Sequence, residues 1–335
     1  MIKFAPPDIA SARSICEKCK AEFPVPLDLS YQHSLAPVIP RDFDERTNNK
    51  FWQLQSTEIQ CPVCSAKTLL KLPTKSEMGK VLFFGDDAAR KSEIGNIFCF
   101  SLVGGNKPFV DRIEQELNSL KSRFEPDLDP ESWHIHMKIL HSGDQRKKNL
   151  VFQSWEKLKI ESFVAEVFEL IRRNSADAFI FSVSFASDSK SSLAELKRDC
   201  YLALIADLIY GFSKLGFTPI LHFDSEKEFI GLGPIIHGWA RDAFQGSQRQ
   251  LIYSYISHGL PVPEPLFLRP ASHPCLELAD FVSFVIARGH HCKMNGLPID
   301  YESERLGIVF YSWLRRDGHY GRDRQIGFPW REIYD

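Results

Sequence analysis

The chain has 335 residues, of which 44% are hydrophobic and 25% are charged, so it has the composition of an ordinary globular protein with ample material for a core. Its 41 Lys and Arg against 43 Asp and Glu give a formal net charge of −2, which excludes a uniformly basic surface and limits any nucleic-acid contact to local patches. The sequence contains neither an apolar signal region nor the ~20 consecutive apolar residues of a membrane span. We therefore expect a cytoplasmic protein with no membrane partner.

Two Cys-x-x-Cys pairs lie near the N-terminus, at Cys16 and Cys19 and at Cys61 and Cys64. In a reducing compartment such pairs indicate a metal rather than disulfides, and four thiolates make a tetrahedral Zn²⁺ site. A redox dithiol is the alternative, but neither pair opens a helix after a hydrophobic strand. The pairs predict a structural zinc in a ribbon-like module over residues 1–75, with a long irregular insertion between them.

From residue 76 onward the apolar pattern predicts a regular α/β domain. Two strands close enough to form a hairpin come first, followed by a helix over 107–124 and a third strand over 133–140. Two long helices then alternate with two strands, and a short strand leads into a helix over 274–291. Antiparallel strands followed by strand–helix–strand alternation indicate a mixed sheet with helices on its faces. This matches a ribonuclease-H-like arrangement for residues 76–335, including a C-terminal extension.

Carboxylates occur at three places in this predicted domain. Asp86 and Asp87 are predicted to end the first strand, Asp224 ends a later strand, and Asp280 lies in the apolar last helix. Functional groups gather at the carboxyl ends of strands in an open α/β sheet. Because carboxylates that meet repel one another, such a site requires a cation, and Mg²⁺ or Mn²⁺ suits oxygen ligands. The pattern predicts a catalytic metal site formed by Asp86, Asp224 and Asp280.

Each of these residues also has a simpler interpretation. A strand-end aspartate often caps a turn, and Asp280 alone could pair with an arginine. Glu277, one turn before Asp280, is interpreted as a supporting residue more readily than as a ligand. His134 and His136 are predicted on one side of a strand, where an exposed face is the alternative to a metal site.

Four segments together resemble a bacterial and phage family labelled domain of unknown function 3800: VLFFGDDAA, WHIHMKIL, ILHFDSE and PCLELADFVSFVIAR. The resemblance covers about residues 78–290 and implies a ribonuclease-H-like fold. By resemblance, Asp86 matches the family's first aspartate, Asp87 its glutamate, and His136 its histidine. Asp224 matches the later strand aspartate and Asp280 the helix aspartate.

The chain also departs from the family pattern. Asp87 is one methylene shorter than the usual glutamate, and Ala88-Ala89 replaces Ser-Gly. His134 stands where a glutamate is usual, and Glu277 replaces glutamine. Losing an acid at His134 could reduce two metal sites to one or abolish catalysis, whereas Glu277 could partly compensate.

These observations favour a Mg²⁺- or Mn²⁺-dependent nuclease that hydrolyses phosphodiester bonds in RNA or DNA. Its predicted catalytic residues are Asp86, Asp87, Asp224, Asp280, His136 and Glu277. The zinc ribbon and three basic segments would contact backbone phosphates, at 144–148, Arg172-Arg173 and Arg315-Arg316. The alternative is a catalytically eroded module that binds nucleic acid or protein, and a third reading is another metal-dependent hydrolase that uses the two histidines as ligands. The sequence leaves self-association of the chain open.

Overall fold

The structure is a computed structural model, and it describes separate stretches of the chain. These are 13–24, 35–38, 51–54, 58–69, 78–91, 95–188, 215–224, 228–229, 234–235, 262–263, 265–268, 272–297, 310–316 and 319–326, with single positions at 193, 197, 204, 208 and 212. The chain divides into two units: the first is Met1–Val81, Ile205–Leu221 and Arg241–Leu266, and the second is Leu82–Leu204, His222–Ala240 and Phe267–Asp335. The sequence-based boundary at residue 75 stays a prediction.

Short antiparallel strands form the N-terminal part of the first unit. They are β1 (Arg13–Ile15), β2 (Glu22–Pro24), β3 (Leu35–Val38), β4 (Phe51–Leu54), β5 (Glu58–Gln60) and β6 (Lys67–Leu69). Strand β1 pairs with β2, β5 pairs with β6, and β3 pairs with β4. The chain before the second cysteine pair thus contains β4 and β5.

A seven-stranded mixed sheet is the main feature of the rest of the chain. The remaining strands are β7 (Gly79–Lys91), β8 (Gly95–Gly105), β9 (Phe179–Asp188), β10 (Phe217–Asp224), β11 (Glu228–Phe229), β12 (Pro234–Ile235), β13 (Val262–Pro263), β14 (Leu266–Leu268), β15 (Phe310–Arg316) and β16 (His319–Ile326). The sheet order is β14-β10-β7-β8-β9-β15-β16. Strand β8 is antiparallel to β7 and β9, whereas β15 is parallel to β9. The predicted α/β class with a mixed sheet is confirmed.

Helices supply the second layer of the core. They are α1 (Lys107–Phe124), α2 (Met137–His141), α3 (Gly143–Arg146), α4 (Lys157–Arg173) and α5 (Pro274–Met294). Asn106 caps α1 by accepting a hydrogen bond from the Phe109 N–H, and Pro108 lies in the first turn, where its missing N–H costs nothing. Buried apolar faces of α1, α4 and α5 join one core cluster. None of the helices in the described stretches has the length and apolar character that crossing a bilayer requires.

Two details of the sequence-based fold were wrong. Strand β7 does not end at Asp87 but continues to Lys91, so both of its aspartates lie in mid-strand. The predicted strand over 133–140 is irregular up to His136 and then becomes α2. The reason is that backbone N–H groups of this segment donate to carboxylates of α5 instead of to a neighbouring strand.

Candidate functional site

The two cysteine pairs occupy equivalent turns in two hairpins. In the β1–β2 hairpin the Cys16 N–H donates to the Ala21 carbonyl, and the Lys20 N–H donates to the Cys16 carbonyl, both at 2.9 Å. The β5–β6 hairpin repeats these bonds from Cys61 and Ser65. Lys20 and Ser65 both have positive φ angles, 60° and 57°. Each turn therefore presents its two sulfurs on one side.

The four sulfur atoms of these turns come together. The Sγ atoms of Cys16 and Cys64 are 3.5 Å apart, those of Cys19 and Cys61 are 3.6 Å apart, and all four lie within 4.8 Å of one another. A tetrahedral ion with Zn–S bonds of about 2.3 Å places its sulfurs about 3.8 Å apart. The backbone N–H of Cys19 lowers the pKa of the Cys16 thiol to about 6, which favours the thiolate. The prediction that these four cysteines can hold a metal ion is confirmed.

Strands β7 and β10 approach closely in the second unit. The His222 ring on β10 stacks on Phe84 of β7, with centroids 4.7 Å apart. One residue further along both strands, Gly85 lies against Phe223, and a Cβ on this glycine would come within 2.7 Å of the phenylalanine ring. The Phe84–His222 contact is thus followed by the Gly85–Phe223 contact one residue further along both strands. The next residue on each strand is an aspartate, and these two aspartates are expected to be neighbours.

Those aspartates are Asp86 and Asp224, and α5 contributes a third. The Ser283 hydroxyl donates to the Asp86 carbonyl at 2.7 Å, which holds α5 against β7 at this point. Asp280 lies three residues before Ser283 and therefore on the same side of the helix. Asp280 is buried, with 6% of its surface exposed.

The electrostatics of Asp86 indicate that the acidic side chains are close. Burial raises the pKa of Asp86 well above its ordinary value, and repulsion from Asp280, Asp87 and Asp224 raises it further. The Asp87 N–H opposes this effect by donating to Asp86 Oδ1 at 2.7 Å. Three carboxylates, from β7, β10 and α5, thus destabilise the charged form of Asp86. We refer to these four aspartates as the acidic centre.

Asp280 also holds the segment that precedes α2. Its Oδ2 accepts a hydrogen bond from the Met137 N–H at 2.8 Å and lies 3.2 Å from His136 Nδ1. The bond to Asp280 raises the pKa of His136, and Asp224 adds to this effect. The His136 side chain is 44% exposed, so it can exchange protons with solvent or a ligand. The partner of Asp280 is thus a histidine and not the arginine that the simpler interpretation proposed.

Glu277 belongs to a buried ion pair. Its Oε1 lies 3.0 Å from Lys121 Nζ, and its Oε2 accepts the Ile135 N–H at 2.6 Å. Burial raises the pKa of Glu277 to about 7, while Lys121 and the Ile135 N–H act in the opposite direction. Glu277 therefore positions the segment next to His136, and its supporting role agrees with the structure better than a ligand role does.

The predicted metal ligands lie closer together in the cysteine group than in the aspartate group. Among the described His, Cys, Asp and Glu residues, one group of three or more has ligand atoms that all lie within 4.8 Å of one another, and this group is the four cysteines. The four aspartates are close enough to repel one another, yet no three of them have carboxylate oxygens that all lie within 4.8 Å of one another. His134 is exposed and lines a surface depression with Lys148, whereas His136 bonds to Asp280.

The predicted basic segments differ in their surroundings. Arg172 pairs with Glu169 at 2.6 Å and Arg173 with Glu116 at 3.4 Å, so their charges are already compensated. The segment 144–148 carries exposed lysines after α3. The side chains of Arg315 and Arg316 lie outside the described residues.

Sequence reasoning missed Lys121 and Ser283. Lys121 follows Leu117 by four residues and so falls on the buried stripe of α1, which was a usable signal for a buried, paired cation. Ser283 gave no comparable signal, because a serine within an apolar helix has many local uses.

The sequence matches no protein-family model and no curated protein. The resemblance to the 3800 family and to the ribonuclease-H-like fold therefore remains an expectation drawn from the four segments.

Proposed function

We propose that the acidic centre holds Mg²⁺ or Mn²⁺ and hydrolyses phosphodiester bonds of RNA or DNA, on a ribonuclease-H-like fold. The observation that carries this proposal is that β7, β10 and α5 meet at the positions of Asp86, Asp224 and Asp280. The raised pKa of Asp86, which arises from burial and from repulsion by the other three aspartates, agrees with this geometry. Like charges held together in this way are stabilised by a divalent cation. The mixed sheet, in which β10 lies on the other side of β7 from β8, supports the fold.

The donor set suits the proposed ion. Asp86, Asp224 and Asp280 offer oxygen atoms, which are the ligands that Mg²⁺ and Mn²⁺ prefer. An ion of this kind, held by these three residues, would polarise a phosphoryl oxygen and lower the pKa of a coordinated water. Asp87 lies next to Asp86 and adds negative charge to the same region.

His136 is the proposed proton carrier. Its Nδ1 bonds to Asp280, which leaves Nε2 as the ring nitrogen that can exchange a proton with the substrate. The raised pKa of His136 favours the protonated ring, so it suits donation to the leaving oxygen. The Lys121–Glu277 pair fixes the preceding residue, and thereby the position of the ring.

The cysteine site has a structural role in this proposal. A zinc ion there orders the two N-terminal hairpins, because binding energy at such a site is folding energy. Exposed Lys147 and Lys148 after α3 supply contacts to backbone phosphates, which are the nucleic-acid interface of the proposal.

A non-catalytic binding module is the second candidate. Two observations favour it. Asp280 Oδ2 already accepts a hydrogen bond from the Met137 N–H and contacts His136 Nδ1. In addition, no three of the four aspartates have carboxylate oxygens within 4.8 Å of one another. Such a module keeps the fold, and its acidic centre does not bind a divalent cation. Its melting temperature should then not respond to Mg²⁺ or Mn²⁺.

The test combines cleavage with thermal melting. The purified protein is incubated with Mn²⁺ or Mg²⁺ and with single- and double-stranded RNA and DNA, beside Asp280→Asn and the control Asp111→Asn. Asparagine keeps an acceptor oxygen for the Met137 N–H, so the first variant should fold, and Asp111 is an exposed partner of Lys107 on α1. Cleavage that is lost in Asp280→Asn and kept in Asp111→Asn supports the nuclease. Equal cleavage by both variants refutes it, and a melting temperature that does not respond to either ion favours the binding module.

A further inference from the structure

Gly85 lies in the interior of β7, directly before Asp86 of the acidic centre. A glycine inside a strand weakens that strand, because it loses more conformational freedom on folding than any other residue and has no side chain to pack. A glycine at this position therefore calls for a physical reason.

Two of the usual reasons for a glycine in a strand do not apply to Gly85. It is not among the described glycines with a positive φ angle, so its backbone has a conformation that other residues also adopt. A β-bulge is excluded as well, because residues 82–91 of β7 pair with β8 in an unbroken register. The remaining reason is the close approach of another part of the chain.

The group that approaches Gly85 is the Phe223 ring of β10. A Cβ atom on Gly85 would lie 2.7 Å from Phe223 Cδ1 and 2.7 Å from Leu102 Cδ2. Carbon atoms in contact are normally about 3.5–4.0 Å apart. Phe223 is 2% exposed, and its ring packs edge-on against Phe100 of β8 with centroids 5.5 Å apart. The ring thus fills the space that a side chain at position 85 would need, and it is enclosed on its other side by β8.

This contact lies on the opposite face of the sheet from the acidic centre. Successive residues of a strand face opposite sides, so Gly85 and Phe223 face one side while Asp86 and Asp224 face the other. Each aspartate directly follows one member of the contact, and β10 is the neighbour of β7 in the sheet. The separation of the two strands at Gly85 and Phe223 therefore sets their separation at the two aspartates.

We propose that Gly85 is a positioning residue of the acidic centre: because it has no side chain, Phe223 packs against β7, and this contact sets the distance between Asp86 and Asp224. The consequence of this distance for divalent-ion binding rests on the proposed function. A larger residue at position 85 moves β10 away from β7 and separates the two carboxylates.

Crystal structures of the full chain without added Mg²⁺ or Mn²⁺ test the positioning apart from metal binding. In Gly85→Ala, an ordinary carbon–carbon contact with the Phe223 ring requires a shift of about 1 Å, so the Cα atoms of Asp86 and Asp224 should lie about 1 Å further apart. Adding Phe223→Leu, which removes the ring, should bring this distance back. An unchanged distance in Gly85→Ala would overturn the proposal. If Gly85→Ala does not fold, Phe223→Trp, which enlarges the ring beside Gly85, takes its place with the same expected shift.

Calorimetric titration with Mn²⁺ measures the consequence for the ion. Gly85→Ala should weaken Mn²⁺ binding by about tenfold, the lower end for residues that orient metal ligands, and the double variant with Phe223→Leu should recover most of this loss. The control is Val167→Ala, which removes part of a fully buried side chain on α4 and should lower the melting temperature without weakening Mn²⁺ binding.

Two results of the titration would overturn the role of Gly85 at the metal site. One is an unchanged Mn²⁺ affinity in Gly85→Ala, and the other is a loss that Phe223→Leu does not relieve or that Val167→Ala shares. If the unsubstituted chain binds no Mn²⁺ while Gly85→Ala moves the strands as expected, the positioning contact stands and the nuclease proposal fails.

Discussion

Removing the Lys121 ammonium should destabilise the protein in a pH-dependent way. The ion pair with Glu277 is buried on both sides, with side chains 2% and 3% exposed, and its N–O distance is 3.0 Å. Lys121→Met keeps the length of the side chain and most of its packing but leaves Glu277 without its cation. Removing one partner of a buried pair typically costs about 3–5 kcal/mol.

The sign of the pH dependence follows from the pKa of Glu277. Folding raises this pKa from 4.5 to about 7, so between these values the native protein binds a proton that the unfolded chain releases, and stability falls as pH rises. At about 1.4 kcal/mol per unit, the native carboxylate costs about 3 kcal/mol above pH 7 even with Lys121 present. Without Lys121 the pKa of Glu277 rises further, and the cost at pH 8 grows. At pH 5 Glu277 is protonated in both proteins, so we expect the variant to lose about 1 kcal/mol or less there.

Urea unfolding at pH 5 and pH 8 measures this difference. The control is Lys107→Met, which removes a 75% exposed lysine from the same helix and should change the free energy of unfolding by less than about 1 kcal/mol at both pH values. Adding Glu277→Gln to Lys121→Met should recover most of the loss at pH 8. Equal destabilisation by Lys121→Met at the two pH values would refute the reasoning.

The other predictions concern the two candidate metal centres. Cys61→Ser should reduce bound zinc from one ion per chain to none, measured by elemental analysis, because it removes one of four sulfurs. Asp86→Asn should raise the melting temperature in metal-free buffer, since it relieves repulsion, and should abolish any shift produced by Mn²⁺; a Mn²⁺ shift equal to that of the unsubstituted protein would contradict the metal assignment. If His136 donates a proton, kcat should fall as pH rises through its raised pKa. In Asp280→Asn, which removes the charge that raises this pKa, the kcat of any residual activity should fall at a lower pH.

The helices and most strands could be predicted because their signal is local. Helix α1 carries a regular apolar stripe and a proline in its first turn, and it has the predicted limits, 107–124. The segment 133–136 could not be predicted in the same way, because alternating Trp, His, Ile and His has the pattern of a strand. Residues that are distant in sequence decide the conformation of this segment. The Ile135 N–H donates to Glu277, 142 residues later, and the Met137 N–H donates to Asp280, 143 residues later.

The candidate acids were identified from sequence, but their partners were not. That Asp224 ends β10 follows from the pattern, whereas the extension of β7 beyond Asp87 depends on pairing with β8 up to Asn96. The Ser283 bond to Asp86 and the Lys121–Glu277 pair depend on how helices pack on the sheet, which periodicity does not specify.

Asp280 has a structural and a proposed chemical role, and the structure suggests how the two can coexist. Both of its hydrogen bonds in the described part of the chain end on Oδ2, from Met137 and at His136, so Oδ1 is the oxygen left for a cation. An ion on Oδ1 would draw charge away from Oδ2, weaken its bond to His136 and lower the pKa of the ring. Metal binding at the acidic centre would therefore release the His136 proton more readily, which would couple the ion to the group that we propose as the proton donor.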